Sequence, residues 1–252
     1  MISKIKISVV SYLNSKPFIY GIQDSPELKK HDFELQLDLP AQCAEKLING
    51  KVDIGLVPVI VIPKLKESYI ISEFCIGANG PVKTVMLYSE VPVKEIKQIY
   101  LDYQSKSSVM LTRILASELW DINPQWIPAL NGYENLISKT TAAVVIGDRA
   151  FEMNGKYKYE YDLSEQWQIL TGMPFVFACW VANKKLPDDF VRDFNHALKH
   201  GLENLEHVAN LHALKNNNLL EYFTKHIKYE FDKEKKDALA LFLHKASEIN
   251  LL

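Results

Sequence analysis

Strand patterns alternate with helix patterns over the first half of the chain, and this alternation limits the fold more than any other feature. IKISVV at 5–10 is a β-branched run, and FELQLDL at 33–39 alternates apolar and polar residues as a half-buried strand does. PFIYGIQ begins a helix between them, and Pro40 begins a second helix that Gly50 ends before VDIGLVPV. The order β-α-β-α-β predicts parallel strands covered by helices.

The alternation of strand and helix patterns starts again at residue 96. IKQIYLD at 96–102 predicts a strand, YQSKSS a loop, and VMLTRILASELW a helix with Ser107 or Ser108 at its N-cap. ENLISKT predicts a helix, TAAVVIGD a strand, and FVFACWVAN at 175–183 a buried strand that returns to the first part of the chain. The remaining residues predict helices.

We therefore expect an α/β protein of two lobes with mixed, largely parallel sheets. Residues 1–88 and 177–252 are predicted to form one lobe and residues 89–176 the other, with a ligand cleft between them. In open α/β sheets, ligands bind beyond the carboxyl ends of the strands. The polar loops SYLNSKP, GPVKT, DYQSKSS and IGD all stand at such positions.

Composition narrows the class of partner. The chain has 252 residues with 29 Lys and Arg against 31 Asp and Glu, and no basic block, which argues against a nucleic-acid partner. It has no secretory h-region and no run of about 18 apolar residues, so we expect a cytoplasmic protein without a membrane partner. Cys43, Cys75 and Cys179 are far apart in apolar surroundings and are predicted to be free core thiols.

The absence of several sequence motifs argues against the reaction classes that these motifs indicate. The patterns GxGxxG, GxxxxGK[ST], GxSxG and HExxH do not occur, and we expect neither a cofactor nor a metal. Residues 32–195 contain no histidine, which argues against a histidine general base near the polar loops. His196 and His200 stand four apart but lack a nearby glutamate, so a solvated pair is favoured over a metal site.

The polar loops hold uncharged candidates for binding. Ser105, Ser107 and Ser108 precede a helix whose N–H groups and dipole favour a carboxylate or phosphate, but taken alone they are better explained by an ordinary serine cap. Asn14 can orient a hydroxyl or hold a carboxylate, and it can also form an Asx turn.

Three further residues have two interpretations each. The Thr84 hydroxyl lies in an otherwise apolar strand, but threonine is also a common strand residue, and taken alone the structural interpretation is favoured. Asp102 and Asp148 each end a predicted strand, where a carboxylate faces a ligand or caps the next helix, and capping is favoured for both.

Together, SYLNSKP, DIGLVPV, GPVKTV, SKSSV, VIGDRA and TGMPFVFACW resemble the chorismate dehydratase family of the futalosine route to menaquinone. The resemblance covers residue 7 to about residue 183. It implies the two-lobed fold of type II periplasmic binding proteins. It also implies removal of water from chorismate, giving 3-[(1-carboxyvinyl)oxy]benzoate.

The resemblance implies roles for residues in the quoted motifs. Asn14 and Thr84 are expected at the reacting centre, where the family pattern often has serine in place of Thr84. Substrate binding is assigned to residues of the same polar loops, namely Ser11, Ser105, Ser107, Ser108 and Asp148. Two alternatives are a 1,4-dihydroxy-6-naphthoate synthase of the same pathway and a non-catalytic solute-binding protein for a small carboxylate.

Overall fold

A computed structural model describes residues 4–213 and 218–249, and the chain divides into two compact units. The first comprises Met1–Gly77 and Val176–Asp232, and the second comprises Ala78–Phe175 and Lys233–Leu252.

The strands are, in chain order, β1 Ile5–Val10, β2 Phe33–Asp38, β3 Ile54–Pro58, β4 Tyr69–Ala78, β5 Val85–Ser89, β6 Gln98–Leu101, β7 Gln125–Pro128, β8 Thr141–Ile146, β9 Tyr159–Asp162, β10 Phe175–Ala182 and β11 Lys228–Glu230. The helices are α1 Lys16–Asp24, α2 Pro40–Ile48, α3 Lys106–Glu118, α4 Asp148–Met153, α5 Leu163–Thr171, α6 Asp188–Glu203, α7 Leu205–Leu211, α8 Leu219–Glu221 and α9 Lys233–Glu248. A π-helical turn, Tyr222–His226, follows α8.

The first unit contains a six-stranded sheet in the order β11-β4-β10-β3-β1-β2. The strand β1 pairs in parallel with β2 and β3, as the β-α-β-α-β pattern predicts. The strand β10 pairs antiparallel with β3, and β11 pairs antiparallel with β4. The strands β4 and β10 are also neighbours, which joins these pairs into one mixed sheet. All of β3 is buried, and it lies in the interior of the sheet between β1 and β10.

The second unit contains a five-stranded sheet in the order β7-β6-β8-β5-β9. The strand β6 pairs in parallel with β7 and β8, whereas β5 pairs antiparallel with β8 and β9. The mixed α/β architecture with two sheets is therefore confirmed, and antiparallel pairing has a larger share than strand–helix alternation alone predicts.

The boundaries of the units differ from the sequence-based ones in two places. The strand β5 pairs within the second sheet, although residues 1–88 were assigned to the first lobe. The helix α9 also belongs to the second unit, because the Phe242 ring packs edge-on against Phe175 at 4.9 Å and against Trp167 at 6.0 Å. Aromatic contacts of this kind contribute beyond the area that they bury.

Local predictions also have mixed outcomes. The three cysteines are free and buried, as predicted, and burial raises the pKa of Cys43 to about 12. The helix predicted for ENLISKT is wrong, because only a short 3₁₀ turn, Tyr133–Leu136, forms there. The strand β11 was missed within a segment predicted to be helical.

Two glycines set the distance between α1 and α6. A Cβ atom on Gly201 would lie 1.9 Å from the carbonyl oxygen of Pro17, and one on Gly21 would lie 2.0 Å from that of Ala197. Because both neighbours are backbone atoms, a methyl group can be accommodated only if the helices separate.

We expect Gly201→Ala to lower the free energy of unfolding by about 2 kcal/mol through this overpacking. Urea denaturation followed by circular dichroism measures the change. Lys199→Ala, at an exposed position on the same helix, is the matched control and should stay within about 0.5 kcal/mol of the parent. Equal stability of the two variants would show that the close approach is unimportant.

Candidate functional site

In the first unit, the carboxyl ends of β1 and β2 meet at one edge of the sheet, since these strands are parallel. Ser11 directly follows β1, and its backbone N–H donates to the carbonyl oxygen of Asp38 at 3.0 Å. The Asp38 carboxylate accepts hydrogen bonds from Lys46 Nζ and from Ser8 Oγ, both at 2.7 Å. The Asp38 carboxylate is therefore paired with Lys46. Ser11, which follows β1, is half-buried.

Asn14 lies in a 3₁₀ turn, Leu13–Ser15, between β1 and α1. Its backbone carbonyl accepts a hydrogen bond from the buried Tyr229 hydroxyl at 3.0 Å, and its side-chain oxygen accepts one from Ser15 Oγ at 3.1 Å. The side chain is half-buried, and its Nδ2 group donates to no other group of residues 4–213 and 218–249. Asn14 thus has a fixed backbone and an amide donor available to a ligand.

In the second unit, residues 80–83 form the turn before β5. Lys83 has a left-handed backbone with φ 67°, and its N–H donates to Asp162 Oδ2 at 2.6 Å. The same carboxylate caps α5 by accepting from the N–H groups of Ser164 at 3.0 Å and Glu165 at 3.3 Å. Burial raises the pKa of Asp162, and the backbone donors, led by that of Lys83, oppose this shift. One buried carboxylate therefore holds both the turn and the helix.

Thr84 follows this turn and is buried. Its carbonyl oxygen accepts from the Gly147 N–H at 2.8 Å, and its hydroxyl lies 3.5 Å from the carbonyl oxygen of Val82. The first contact ties the start of β5 to the end of β8, so Thr84 and Asp148 belong to one edge of the sheet.

The stretch YQSKSS at residues 103–108, called the serine loop below, leads into α3. Its three serines lie within one helical turn. Ser105, not Ser107 or Ser108, is the N-cap, because the helix begins at Lys106, earlier than predicted. The Ser105 hydroxyl oxygen accepts from the Ser108 N–H at 3.2 Å, and its O–H donates to Ser108 Oγ at 2.8 Å. One N–H group that the sequence offered to an anion is therefore already used within the cap.

We expect Ser105→Ala to destabilise the protein by about 1 kcal/mol, because the cap of α3 is lost. Thermal unfolding at a fixed scan rate measures this change. Ser138→Ala, at an exposed position outside a helix, is the control and should leave the midpoint nearly unchanged. Equal midpoints for the two variants would contradict a capping role.

Arg149 is the centre of a polar cluster that the sequence analysis did not identify. Its guanidinium forms ion pairs with Asp102 and Glu134, and its Cζ lies 5.4 Å from the ring centroid of Tyr103 and 5.7 Å from that of Tyr133. The Tyr133 hydroxyl donates to Asp102 Oδ2 at 2.6 Å. Asp102 directly follows β6, and Arg149 lies in the first turn of α4 shortly after β8, so the cluster joins the ends of two strands.

The charges of this cluster favour a structural network of ion pairs over a binding site for an anion. The Asp102 side chain is fully buried, and burial raises its pKa, while the Arg149 charge and the Tyr133 hydroxyl oppose this shift. Two carboxylates surround one guanidinium, so the local formal charge is negative. Arg149 therefore stabilises the loop after β6.

The favoured capping roles of Asp102 and Asp148 are both wrong. Asp102 accepts from the Gln104 N–H at 2.6 Å within its own loop, and Ser105 caps the next helix. Gly147 with φ 67° occupies the N-cap of α4, and Asp148 lies in the first turn, where its charge favours the helix dipole. Asp162 was detectable, because Asp followed three residues later by Glu is a capping signal.

Within the described part of the chain, no group of three or more His, Cys, Asp or Glu side chains is arranged to hold a metal ion. None of the helices described there combines the length and apolar character needed to span a membrane.

Comparison with solved structures identifies the fold. A protein from Archaeoglobus fulgidus has a TM-score of 0.76 at 12% identity, covering 99% of this chain and 98% of that chain. A Candida albicans gene product described as having the generic periplasmic binding protein structural fold has a TM-score of 0.62 at 14% identity, covering 96% of this chain and 90% of that chain. The predicted periplasmic-binding-protein-like fold is confirmed.

Comparison of sequences gives the family. The chain is 25% identical over 238 residues to the chorismate dehydratase of Thermus thermophilus, covering 85% of this chain and 87% of that protein. A family model described as menaquinone biosynthesis matches residues 5–248. Because this match includes both units and nearly all of the chain, the protein belongs to the menaquinone biosynthesis family.

Proposed function

We propose that the protein is a chorismate dehydratase, a carbon–oxygen lyase that converts chorismate to 3-[(1-carboxyvinyl)oxy]benzoate in the futalosine route to menaquinone. The observation that carries this proposal is the similarity to the Thermus thermophilus chorismate dehydratase over most of both chains, within a menaquinone biosynthesis family. A cytoplasmic location is part of the proposal.

The reaction needs positioning more than a strong protein base. The ring loses one proton and its neighbouring hydroxyl group, the two leave together as water, and the ring becomes aromatic. The substrate's enolpyruvyl carboxylate can accept the ring proton when it is held against it, and it can pass this proton to the departing hydroxyl group, which then leaves as water. An enzyme that fixes one conformer of the dianion and stabilises developing charge therefore accelerates this step.

In the first unit, the turn that carries Asn14 suits this requirement. The stretch SYLNSKP contains neither an acid nor a histidine. We assign the available Nδ2 donor of Asn14 to the leaving hydroxyl or to the side-chain carboxylate, and Ser11 to an adjacent substrate contact. The bond between Tyr229 and the Asn14 carbonyl prepares the turn before substrate arrives.

In the second unit, we assign the Thr84 hydroxyl to a hydrogen bond with the substrate. Ser105, Ser107 and Ser108 are assigned to a substrate carboxylate, and Asp148 to a substrate hydroxyl. The ion pair between Arg149 and Asp102 holds the start of the serine loop in place, because this loop begins directly after Asp102.

One assay tests the proposal against its two alternatives. Purified protein is mixed with chorismate, and the product is followed by absorbance and identified by mass; we expect loss of one water and appearance of the aromatic ether. Chorismate binding without turnover would favour a solute-binding protein. No response to chorismate would favour the 1,4-dihydroxy-6-naphthoate synthase reaction.

A further inference from the structure

A cavity of about 570 Å³ lies within the second unit, and none of the proposed substrate-binding residues lines it. It is formed by the second half of α3, the segment leading into β7 and the end of α9, and its lining includes Arg113, Ala116, Ser117, Ile122, Asn123 and Trp126. Arg113 stands eight residues after Ser105, about 12 Å along the helix axis. The volume is within the range of about 300–1,000 Å³ that small-molecule sites occupy.

Arg113 is a half-buried cation that has no counterion among the residues that the structure describes. Its Cζ lies 4.9 Å from the ring centroid of Trp126, and it makes no hydrogen bond or ion pair within residues 4–213 and 218–249. Burial lowers the pKa of Arg113, and no neighbouring carboxylate opposes that shift. A guanidinium that has lost hydration gains most from a planar anion, because its N–H groups match a carboxylate in a bidentate arrangement.

Two acidic residues also line the cavity, and they restrict the charge of a ligand. The Asp121 side chain is 96% exposed and lies 3.9 Å from Lys94, while Glu248 lies 3.6 Å from His244. Neither is within ion-pair distance of Arg113, yet both would repel a multiply charged anion. A ligand with a single negative charge is therefore favoured over a phosphate.

We propose that this cavity is a binding site for a small aromatic monocarboxylate. The carboxylate accepts hydrogen bonds from Arg113, and the aromatic ring packs against Trp126, Ala116 and Ile122. Ser117 and Asn123 provide further polar contacts for ring substituents. The site is separate from the residues assigned to chorismate, so it does not depend on the proposed reaction.

Titration of isotope-labelled full-length protein with benzoate, monitored by NMR, tests the proposal. Saturable shifts are expected at the Arg113 Nε–H and Trp126 indole N–H signals. Arg113→Gln should weaken benzoate binding at least tenfold, whereas Arg192→Gln, the same change at an exposed position, should leave it unchanged. Benzamide has nearly the same shape without the charge and should bind the parent protein at least tenfold more weakly.

Three results would overturn the proposal: absence of saturable shifts at Arg113 and Trp126, equal affinity for benzamide and benzoate, or unchanged benzoate affinity in Arg113→Gln. Shifts confined to residues outside this cavity, such as Asn14 or Thr84, would be one form of the first of these results. Circular dichroism establishes that Arg113→Gln is folded. If it is not, the comparison of benzamide with benzoate on the parent protein still decides the question.

Discussion

Replacement of Asn14 by alanine is expected to lower kcat for chorismate dehydration by about 10²–10³-fold, the loss typical for one preorganised hydrogen-bonding group. The side-chain amide is half-buried, and its Nδ2 donates to no other group in the described part of the chain. Alanine retains the backbone carbonyl that Tyr229 holds, so the turn itself should persist. Steady-state kinetics measure the effect, and thermal unfolding should give a midpoint close to that of the parent.

Two further variants make this test specific. Asn210→Ala, at an exposed position in the same unit, is the matched control and should retain full activity. Asn14→Asp keeps the shape but adds a negative charge beside a dianionic substrate, so it should raise KM as well as lower kcat. Near-normal turnover in Asn14→Ala would remove Asn14 from the reacting centre.

Replacement of Arg149 by methionine is expected to lower the free energy of unfolding by about 3 kcal/mol near pH 8, because the Asp102 carboxylate then stays buried without a cation. Tyr133 and the Gln104 N–H still donate to this carboxylate, which limits the loss. Urea denaturation of the variant and the parent measures the difference. Arg192→Met, at an exposed position, should change stability by less than about 1 kcal/mol.

The same variant should have a characteristic pH dependence. Burial already raises the pKa of Asp102 in the folded protein, and removal of Arg149 raises it further. A carboxyl group whose folded pKa exceeds its unfolded value of about 4 contributes stability at low pH that is lost as the pH rises through the folded pKa. The deficit of Arg149→Met should therefore be largest near pH 8 and smaller near pH 5.

A second substitution separates charge from packing. Asp102→Asn in the Arg149→Met background removes the unpaired charge, so the double variant should be more stable than Arg149→Met alone at pH 8. A deficit that does not vary with pH, or a double variant with no recovery, would show that Arg149 acts through packing only.

Periodicity predicted the elements whose sequence pattern is strong. The strands β1 and β2 and the helix α2 follow directly from alternation, a proline start and a glycine stop. Short edge strands such as β7 and β11 were missed, because three or four residues carry too little pattern to separate them from loops. Their strand conformation depends on neighbours that are distant in the sequence.

Residues of the candidate site were predictable from the sequence only where they lie together in one short motif. The polar loops that carry Asn14 and the serines stand directly after strands, as expected. The cluster of Arg149 was not predicted, because its carboxylates come from residues 47 and 15 positions earlier in the chain. Long-range ion pairs of this kind need the register of β6 and β8, which no local pattern encodes.

The position of α9 has a consequence for synthesis of the chain. Phe242 covers Trp167 and Phe175, yet it is translated after the whole return segment through the first unit. A nascent chain that has not passed residue 233 would therefore expose two large aromatic side chains, and such intermediates are prone to aggregate. Dependence on chaperones should accordingly fall sharply once this last helix leaves the ribosome.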